Sequence, residues 1–284
     1  MTLKETLTKA TLMTKTANEE HAVFWLLLEL LNFSKSDYFI NEERILEKKF
    51  IKKYFKLVDE HLNKNIPVQY LVRQSYFYNY KFIVSKDTLV PRVETEELVY
   101  RTIKYINEYF ENYETLNILD LATGSGAIGI TLKLELKKVN VTLADVNKKA
   151  LRIARKNTKN YHLKIKTIKS NWFDKITDKF DVIISNPPYI PIGQHVEEKT
   201  LNEPKIALFS GGEGLDSYQA ILSTINNNIN DKAIIAFEHG YDQKTKLKEL
   251  IKANLSDYKL KQEKDLSNKD RYTFIFYNKK EATQ

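Results

Sequence analysis

From residue 117 to residue 237 the chain alternates short β-branched runs with helical stretches, and few folds tolerate that order. Asn117-Ile-Leu-Asp-Leu-Ala122 reads as a strand and 127–136 as a helix. Val139-Asn-Val-Thr-Leu-Ala144 is a second strand, followed by a helix over 148–157. Further strands are expected over 163–168, 180–185 and Ala233-Ile-Ile-Ala-Phe237. Strand, helix and strand in this order make parallel pairs joined by right-handed crossovers. The C-terminal end departs from the pattern. Tyr258 to Glu263 and Tyr272-Thr-Phe-Ile-Phe-Tyr277 are separated by a polar loop too short for a crossover helix, so they should pair antiparallel. The expected fold is α/β: a doubly wound, mostly parallel seven-stranded sheet with an antiparallel C-terminal hairpin.

Residues 1–66 contain no glycine and read as a small helical bundle. Thr16-Ala-Asn-Glu-Glu-His21 supplies a polar start, and Ala22 to Leu31 is an apolar helix. Asn41-Glu-Glu-Arg44 looks like a cap with an acidic first turn, leading into apolar pairs at helical spacing through Tyr54-Phe55. No catalytic residue types cluster here, so the bundle is expected to recognise a partner. From Pro67 the pattern changes. Val68-Gln-Tyr-Leu71 and Tyr76 to Val84 are β-branched and aromatic, hence strand-like, and 67–92 is expected as a β-hairpin linker before a domain over 93–284.

A chain of 284 residues that is 42% hydrophobic buries a proper core. Cysteine is absent, which excludes a disulfide framework and a thiolate metal site. No signal-peptide core and no membrane-length apolar run stands out, so a cytoplasmic protein without a membrane partner is expected. The formal charge of +8 permits a nucleic-acid or anionic ribonucleoprotein partner, such as the ribosome.

Two loops carry the chemistry. The first, Asp120-Leu-Ala-Thr-Gly124-Ser-Gly126-Ala-Ile-Gly129, lies between a strand and its helix. Glycines there let backbone approach a ligand closely, and the helix start offers free N–H groups. The loop matches G-x-G-x-x-G, and about twenty residues on Asp145 ends the next strand, placed to accept both hydroxyls of a ribose. Nicotinamide cofactors and S-adenosylmethionine both carry that ribose, so this pair leaves both open. Ser170-Asn171-Trp172-Phe173 ends the third strand, where a polar group can meet an adenine amino group and a ring can pack on its face. The second loop is Ser185-Asn186-Pro187-Pro188-Tyr189-Ile190. It follows the buried run Asp181-Val-Ile-Ile184, and its prolines stop any sheet ladder because neither has an N–H to donate. Asn186 thus sits at the mouth of a strand on a rigid turn. A carboxamide, free carbonyls and a ring in one cluster can hold a planar amide or amino group by its N–H bonds.

Other candidates are weaker. Glu94 and Glu96 either line the site's mouth or form the acidic first turn of a helix, which is the favoured reading for Glu96. His195 and His239 stand alone without a metal-ligand partner, so no metal is expected, and the lysines of 246–269 read as a solvated face.

With these pieces placed, the whole chain resembles the HemK/PrmC family, the glutamine N5-methyltransferases of peptide-chain release factors. Pro67-Val-Gln-Tyr-Leu71 is similar to the start of that family's linker, and Val90-Pro-Arg-Val-Glu-Thr-Glu96 to its Pro-Arg-Pro-Glu-Thr-Glu signature. Asp120 to Gly126 resembles its cofactor loop, and Asn186-Pro-Pro-Tyr189 its substrate motif. Glu203-Pro204, Ala207-Leu208, Gly212-Glu-Gly-Leu215 and Asp270-Arg271 follow its later blocks. The resemblance implies S-adenosyl-L-methionine as cofactor, held by Ala122, Thr123, Gly124, Ser125, Gly126, Asp145, Asn171, Trp172 and Asn186. It implies release factors as substrate, met by Asn186, Pro187, Pro188 and Tyr189, in the neighbourhood of the ribosome and without sequence-specific nucleic-acid binding. Asn186, Pro187 and Tyr189 are the expected catalytic residues. Asn186 and the Pro187 carbonyl would accept the two amide N–H bonds, and Tyr189 would pack against the acceptor. Four positions depart from the pattern: Val93 for a proline, Ala122 for a glycine, Asn171 for an acid, and Asn268 for a glycine, where Asn still tolerates left-handed backbone.

Asn-Pro-Pro-Tyr is shared with adenine N6-methyltransferases, which makes an enzyme acting on a flipped base the alternative. Against it, no second domain rich in base-reading Arg or Asn is apparent. A nicotinamide oxidoreductase is opposed by the Asn-Pro-Pro-Tyr turn and the terminal hairpin.

Overall fold

The structure is a computed structural model and describes residues 1–279. They form two compact units, one of residues 1–74 with 196–202 and the other of 75–195 with the residues from 203 onward.

The first unit is helical: α1 (Leu3–Thr11), α2 (Ala17–Leu31), α3 (Lys35–Ile40), α4 (Lys48–Lys64) and α5 (Val68–Val72). Thr2 and Glu5 close a capping box on α1, and Thr16, in the polar start expected for α2, caps that helix through the Glu19 N–H. Such caps contribute about 1 kcal/mol each. Leu3, Val23, Leu26, Leu27, Tyr54 and Val58 form the core, and the buried Tyr54 hydroxyl donates to the Val23 carbonyl at 2.9 Å. Two expectations fail here. Asn41 does not start α4; it ends α3, donating its side-chain amide to the Asp37 carbonyl at 2.7 Å, and α4 begins only at Lys48. Val68–Val72 is a short helix rather than a strand, because Pro67 sets the φ for its entry and a short apolar run carries no decisive period.

A hairpin does lie within 67–92, but its strands β1 (Gln74–Phe77) and β2 (Tyr80–Ile83) divide the single run read as one strand-like stretch over Tyr76 to Val84. Tyr78 and Asn79 turn it with φ of 52° and 63°, the pattern of a type I′ turn. Phe77 and Phe82 are fully buried in the core of the second unit, so the hairpin is packed structure, and of the expected linker residues 67–74 fall with the helices.

The chain continues through α6 (Val93–Tyr109), β3 (Leu116–Leu121), α7 (Ala127–Glu135), β4 (Val139–Asp145), α8 (Lys148–Asn160), β5 (Lys166–Lys169), β6 (Phe180–Ser185) and β7 (Ile190–Pro191). It then runs through α9 (Lys205–Leu208), β8 (Phe209–Ser210), α10 (Gly211–Gly214), α11 (Asp216–Leu222), β9 (Ile229–Glu238), α12 (Lys244–Asn254), β10 (Tyr258–Lys264) and β11 (Asp270–Asn278). The large sheet has seven strands in the order β10-β11-β9-β6-β3-β4-β5. All its pairs are parallel except those of β11 with β9 and β10, which are antiparallel as expected. Ile118, Leu119, Val182, Ile183 and Ile184 of the two central strands have no exposed surface, each burial contributing roughly 1.5–3 kcal/mol. From β3 the chain first builds outward to β4 and β5, then returns to place β6 on the other side. That reversal opens a crevice at the C-terminal ends of β3 and β6.

Candidate active site

After β3 the backbone turns sharply, with φ of 63° at Ala122, 56° at Gly124 and 85° at Gly126. Two glycines of the loop serve packing. A Cβ on Gly126 would stand 2.9 Å from Ile130 Cδ1, and one on Gly129 2.3 Å from Leu143 Cδ2. Gly124 differs, because a Cβ there meets nothing within 4 Å and the residue lines an open cavity. Beneath the loop the buried Asp120 accepts from the Thr123 hydroxyl and, at 2.9 Å, from the Gly129 N–H. Burial pushes its carboxyl up to about 7, and its second oxygen is buried with no partner among the described residues.

Asp145 ends β4 as expected. Its oxygens accept the backbone N–H of Gly124 at 2.8 Å and of Asn147 at 2.7 Å, and each oxygen keeps a further lone pair. Burial raises this carboxyl while the two N–H bonds draw it back. Sequence reasoning missed Asn157 of α8. Fully buried, it accepts from the Ile83 N–H at 2.7 Å and donates to the carbonyls of Ile83 and Ser125 at 2.9 and 2.8 Å. One side chain thereby ties the glycine loop to the hairpin.

At the end of β5, Trp172 is half-buried with φ of 45°, a strained backbone for a bulky residue. Asn171 beside it is exposed, with its side-chain amide 3.4 Å from Asp174 Oδ2.

At the end of β6, Ser185 donates to the Leu121 carbonyl and joins the two loops. Asn186 Nδ2 donates to Thr95 Oγ1 at 3.0 Å, and Thr95 donates to the buried Glu238 Oε2 at 2.7 Å. Tyr189 turns its hydroxyl to Glu238 Oε1 at 3.3 Å, and Gln243 donates to the Tyr189 carbonyl at 2.8 Å. Burial pushes the Tyr189 hydroxyl up, and the neighbouring Glu238 carboxylate adds to it.

The cavity has a volume of about 320 Å³ and is walled by residues of the second unit. Of the residues singled out from sequence, it brings together Ala122, Thr123, Gly124, Ser125, Asp145, Asn171, Trp172, Asn186 and Pro188. Gly126, Pro187 and Tyr189 do not line it: Gly126 is packed under α7, Pro187 is buried, and Tyr189 points at Glu238. Glu94 and Glu96 stay outside it in the first turn of α6, while Thr95 between them forms part of the wall. Arg92 also lines it, held in an ion pair by the nearly buried Glu203, whose other oxygen accepts the Val90 N–H at 2.9 Å. His239 is buried with Nδ1 at the Gly240 carbonyl, and His195 is exposed. Among the described residues no group of three His, Asp or Glu is arranged to hold a metal ion, and no helix is long and apolar enough to cross a membrane.

Comparison with known proteins agrees across the chain. Residues 5–72 match the PrmC N-terminal domain and residues 102–232 the methyltransferase small domain. The release factor glutamine methyltransferase of Bacillus cereus is 32% identical, over 90% of this chain and 92% of its own. That of Francisella tularensis is 35% identical over 89% of each chain, and that of Leptospira interrogans 36% over 88% of each. Among solved structures, a methyltransferase from Pyrococcus furiosus aligns at TM-score 0.51 and 19% identity, covering 70% of this chain and 89% of its own. The hMettl16 catalytic domain, in complex with an RNA hairpin, aligns at 0.54 and 13%, covering 81% and 82%. These two show the fold alone.

Proposed function

We propose a function that starts from one premise: the chain belongs to the release factor glutamine methyltransferase family. It transfers a methyl group from S-adenosylmethionine to the side-chain amide nitrogen, N5, of the glutamine in the Gly-Gly-Gln motif of peptide-chain release factors. The observation that carries this reading is that Asn186 opens into the same cavity as Gly124 and Asp145. Family membership also decides what the G-x-G-x-x-G match left open, in favour of S-adenosylmethionine over a nicotinamide. The work is done in the cytoplasm, near the ribosome.

The residues present fit this cofactor. Open space above Gly124 allows close backbone approach, Asp145 keeps lone pairs for the ribose hydroxyls, and Asn171 and Trp172 offer a polar group and a ring for adenine. When bound, S-adenosylmethionine supplies a methyl already activated on a sulfonium. The acceptor is the difficult partner, because a glutamine amide nitrogen shares its lone pair with the carbonyl. Asn186 Oδ1 and the Pro187 carbonyl accept its two N–H bonds and so turn the nitrogen lone pair toward the methyl; Pro187 does not itself line the cavity, so its carbonyl is met only where the acceptor passes over the turn. Pro188 walls the acceptor side, and Tyr189 fixes the turn through Glu238 and Gln243. Orientation of this kind lowers a barrier by up to ~7–11 kcal/mol, against only ~0.5–1.5 kcal/mol net for a neutral hydrogen bond. Geometry therefore dominates: the N–CH3 bond would form as the S–CH3 bond breaks to leave a neutral thioether, and one nitrogen proton would pass to water after the transfer, so no general base is required at the nitrogen.

Mass spectrometry of a bacterial release factor, incubated with the protein and S-adenosylmethionine, tests the proposal. One added methyl on the Gly-Gly-Gln glutamine is expected. An unmodified release factor, with label entering adenine of a nucleic acid, would overturn it.

A further inference from the structure

Asn186 must present an oxygen to an acceptor N–H, yet a carboxamide has two ends of similar shape. What decides which end faces the cavity is a chain of hydrogen bonds behind it. Glu238, at the end of β9, is buried and its Oε2 takes the Thr95 hydroxyl proton at 2.7 Å. A hydroxyl has one proton to give. With that proton committed, Thr95 Oγ1 can only accept from Asn186, at 3.0 Å, so the amide must turn Nδ2 to Thr95 and leave Oδ1 for the cavity. The reverse amide would set two acceptors face to face. Glu238 receives a hydroxyl at each oxygen, Tyr189 at Oε1 as well as Thr95 at Oε2; burial raises its carboxyl, while both hydroxyls and the charge of Arg271 favour the ionised form, which can only accept.

We propose that Thr95 and Glu238 are positioning residues that fix the polarity of the Asn186 carboxamide, so that its oxygen rather than its nitrogen meets the acceptor amide. This rests on the functional reading above. It assigns the middle residue of the Glu-Thr-Glu segment a role that neither flanking acid has, as both lie outside the cavity.

Thr95→Val removes the hydroxyl with little change of shape. Turnover of the release factor is expected to fall at least ~30-fold, about 2 kcal/mol at 1.4 kcal/mol per tenfold, with the cofactor Kd changed less than twofold. Thr95→Ser, which restores the hydroxyl, should recover turnover to within a few-fold of wild type. Wild-type turnover in Thr95→Val, an equal loss in Thr95→Ser, or a matching loss of cofactor affinity would each overturn the proposal. A second readout is independent of activity. In selectively labelled protein without substrate, the Asn186 side-chain amide protons should exchange slowly in wild type and fast in both Thr95→Val and Glu238→Leu; equal rates overturn it. A wild type that leaves the release factor unmethylated sinks the functional reading, while the exchange rates still judge the polarity.

Discussion

A single buried carboxyl shows how the site sets its own pH dependence. Asp120 lies under the glycine loop with burial pushing it up to about 7, while in the unfolded chain it ionises near 4. Between those values the folded protein holds a proton that the unfolded chain has lost. Stability from this group therefore falls as pH rises from about 4 to about 7 and is level above. Asp120→Asn keeps an oxygen to accept from Thr123 and Gly129 but cannot ionise. Relative to wild type it should gain on the order of 2–4 kcal/mol between pH 5 and pH 8, at ~1.4 kcal/mol per unit. Urea denaturation at the two pH values checks this, and parallel losses in both proteins would refute it. Two of the four departures from the family pattern, Ala122 and Asn268, stand on left-handed backbone. Ala122 stands at φ 63°, where a side chain costs roughly 1–2 kcal/mol and glycine costs nothing. Asn268 occupies φ 62°, the left-handed conformation anticipated for it.

At the scale of elements, what was legible in the sequence was what is written locally. Gly124 and Asp145, and the Pro187-Pro188 stop after β6, mark loop ends within a few residues of the strands that place them, so the sheet and its crevice could be read. Val68–Val72 and the start of α4 could not, since a five-residue apolar run fits helix or strand and Asn41 caps either neighbour equally well. Least legible were the partners that arrive from afar. Thr95 meets Glu238 across 143 residues, and Asn157 meets Ile83 across 74. No local pattern announces such pairs, because the fold, not the segment, makes them neighbours. Asn157 gives this a measurable size. Asn157→Ala strands the Ile83 N–H and the carbonyls of Ile83 and Ser125 where water is scarce, and a buried unsatisfied group costs about 1–3 kcal/mol. The variant should lose about 2–4 kcal/mol of stability, with hydrogen exchange at Ile83 quickened to match. A loss below about 0.5 kcal/mol would show that water replaces the side chain without penalty.

Across the whole molecule the chain path itself is informative. After His195 it leaves the second unit, lies in the helical unit through residue 202, and returns at Glu203. Within the helical unit this segment completes a helix end. The last carbonyls of α4 lack intrahelical partners, and Asn202 donates to those of Lys64 and Asn65 at 3.2 and 3.0 Å. Asn65, left-handed at φ 55°, donates in turn to Glu198 at 2.8 Å. The Lys199 and Glu19 pair, at 3.7 Å and partly exposed, adds little. The amide bonds therefore hold the segment, each worth ~0.5–1.5 kcal/mol net. Asn202→Ala removes two of them, so exchange across 196–202 should quicken by roughly 5- to 100-fold, at ~1.4 kcal/mol per tenfold. Because Glu203 bonds Val90 and Arg92 inside the second unit, the Val90 N–H should keep its wild-type rate. Faster exchange at Val90 as well would mean that the segment and the wall of the cavity open together, and that loosening the helical unit reaches the place where Arg92 is held.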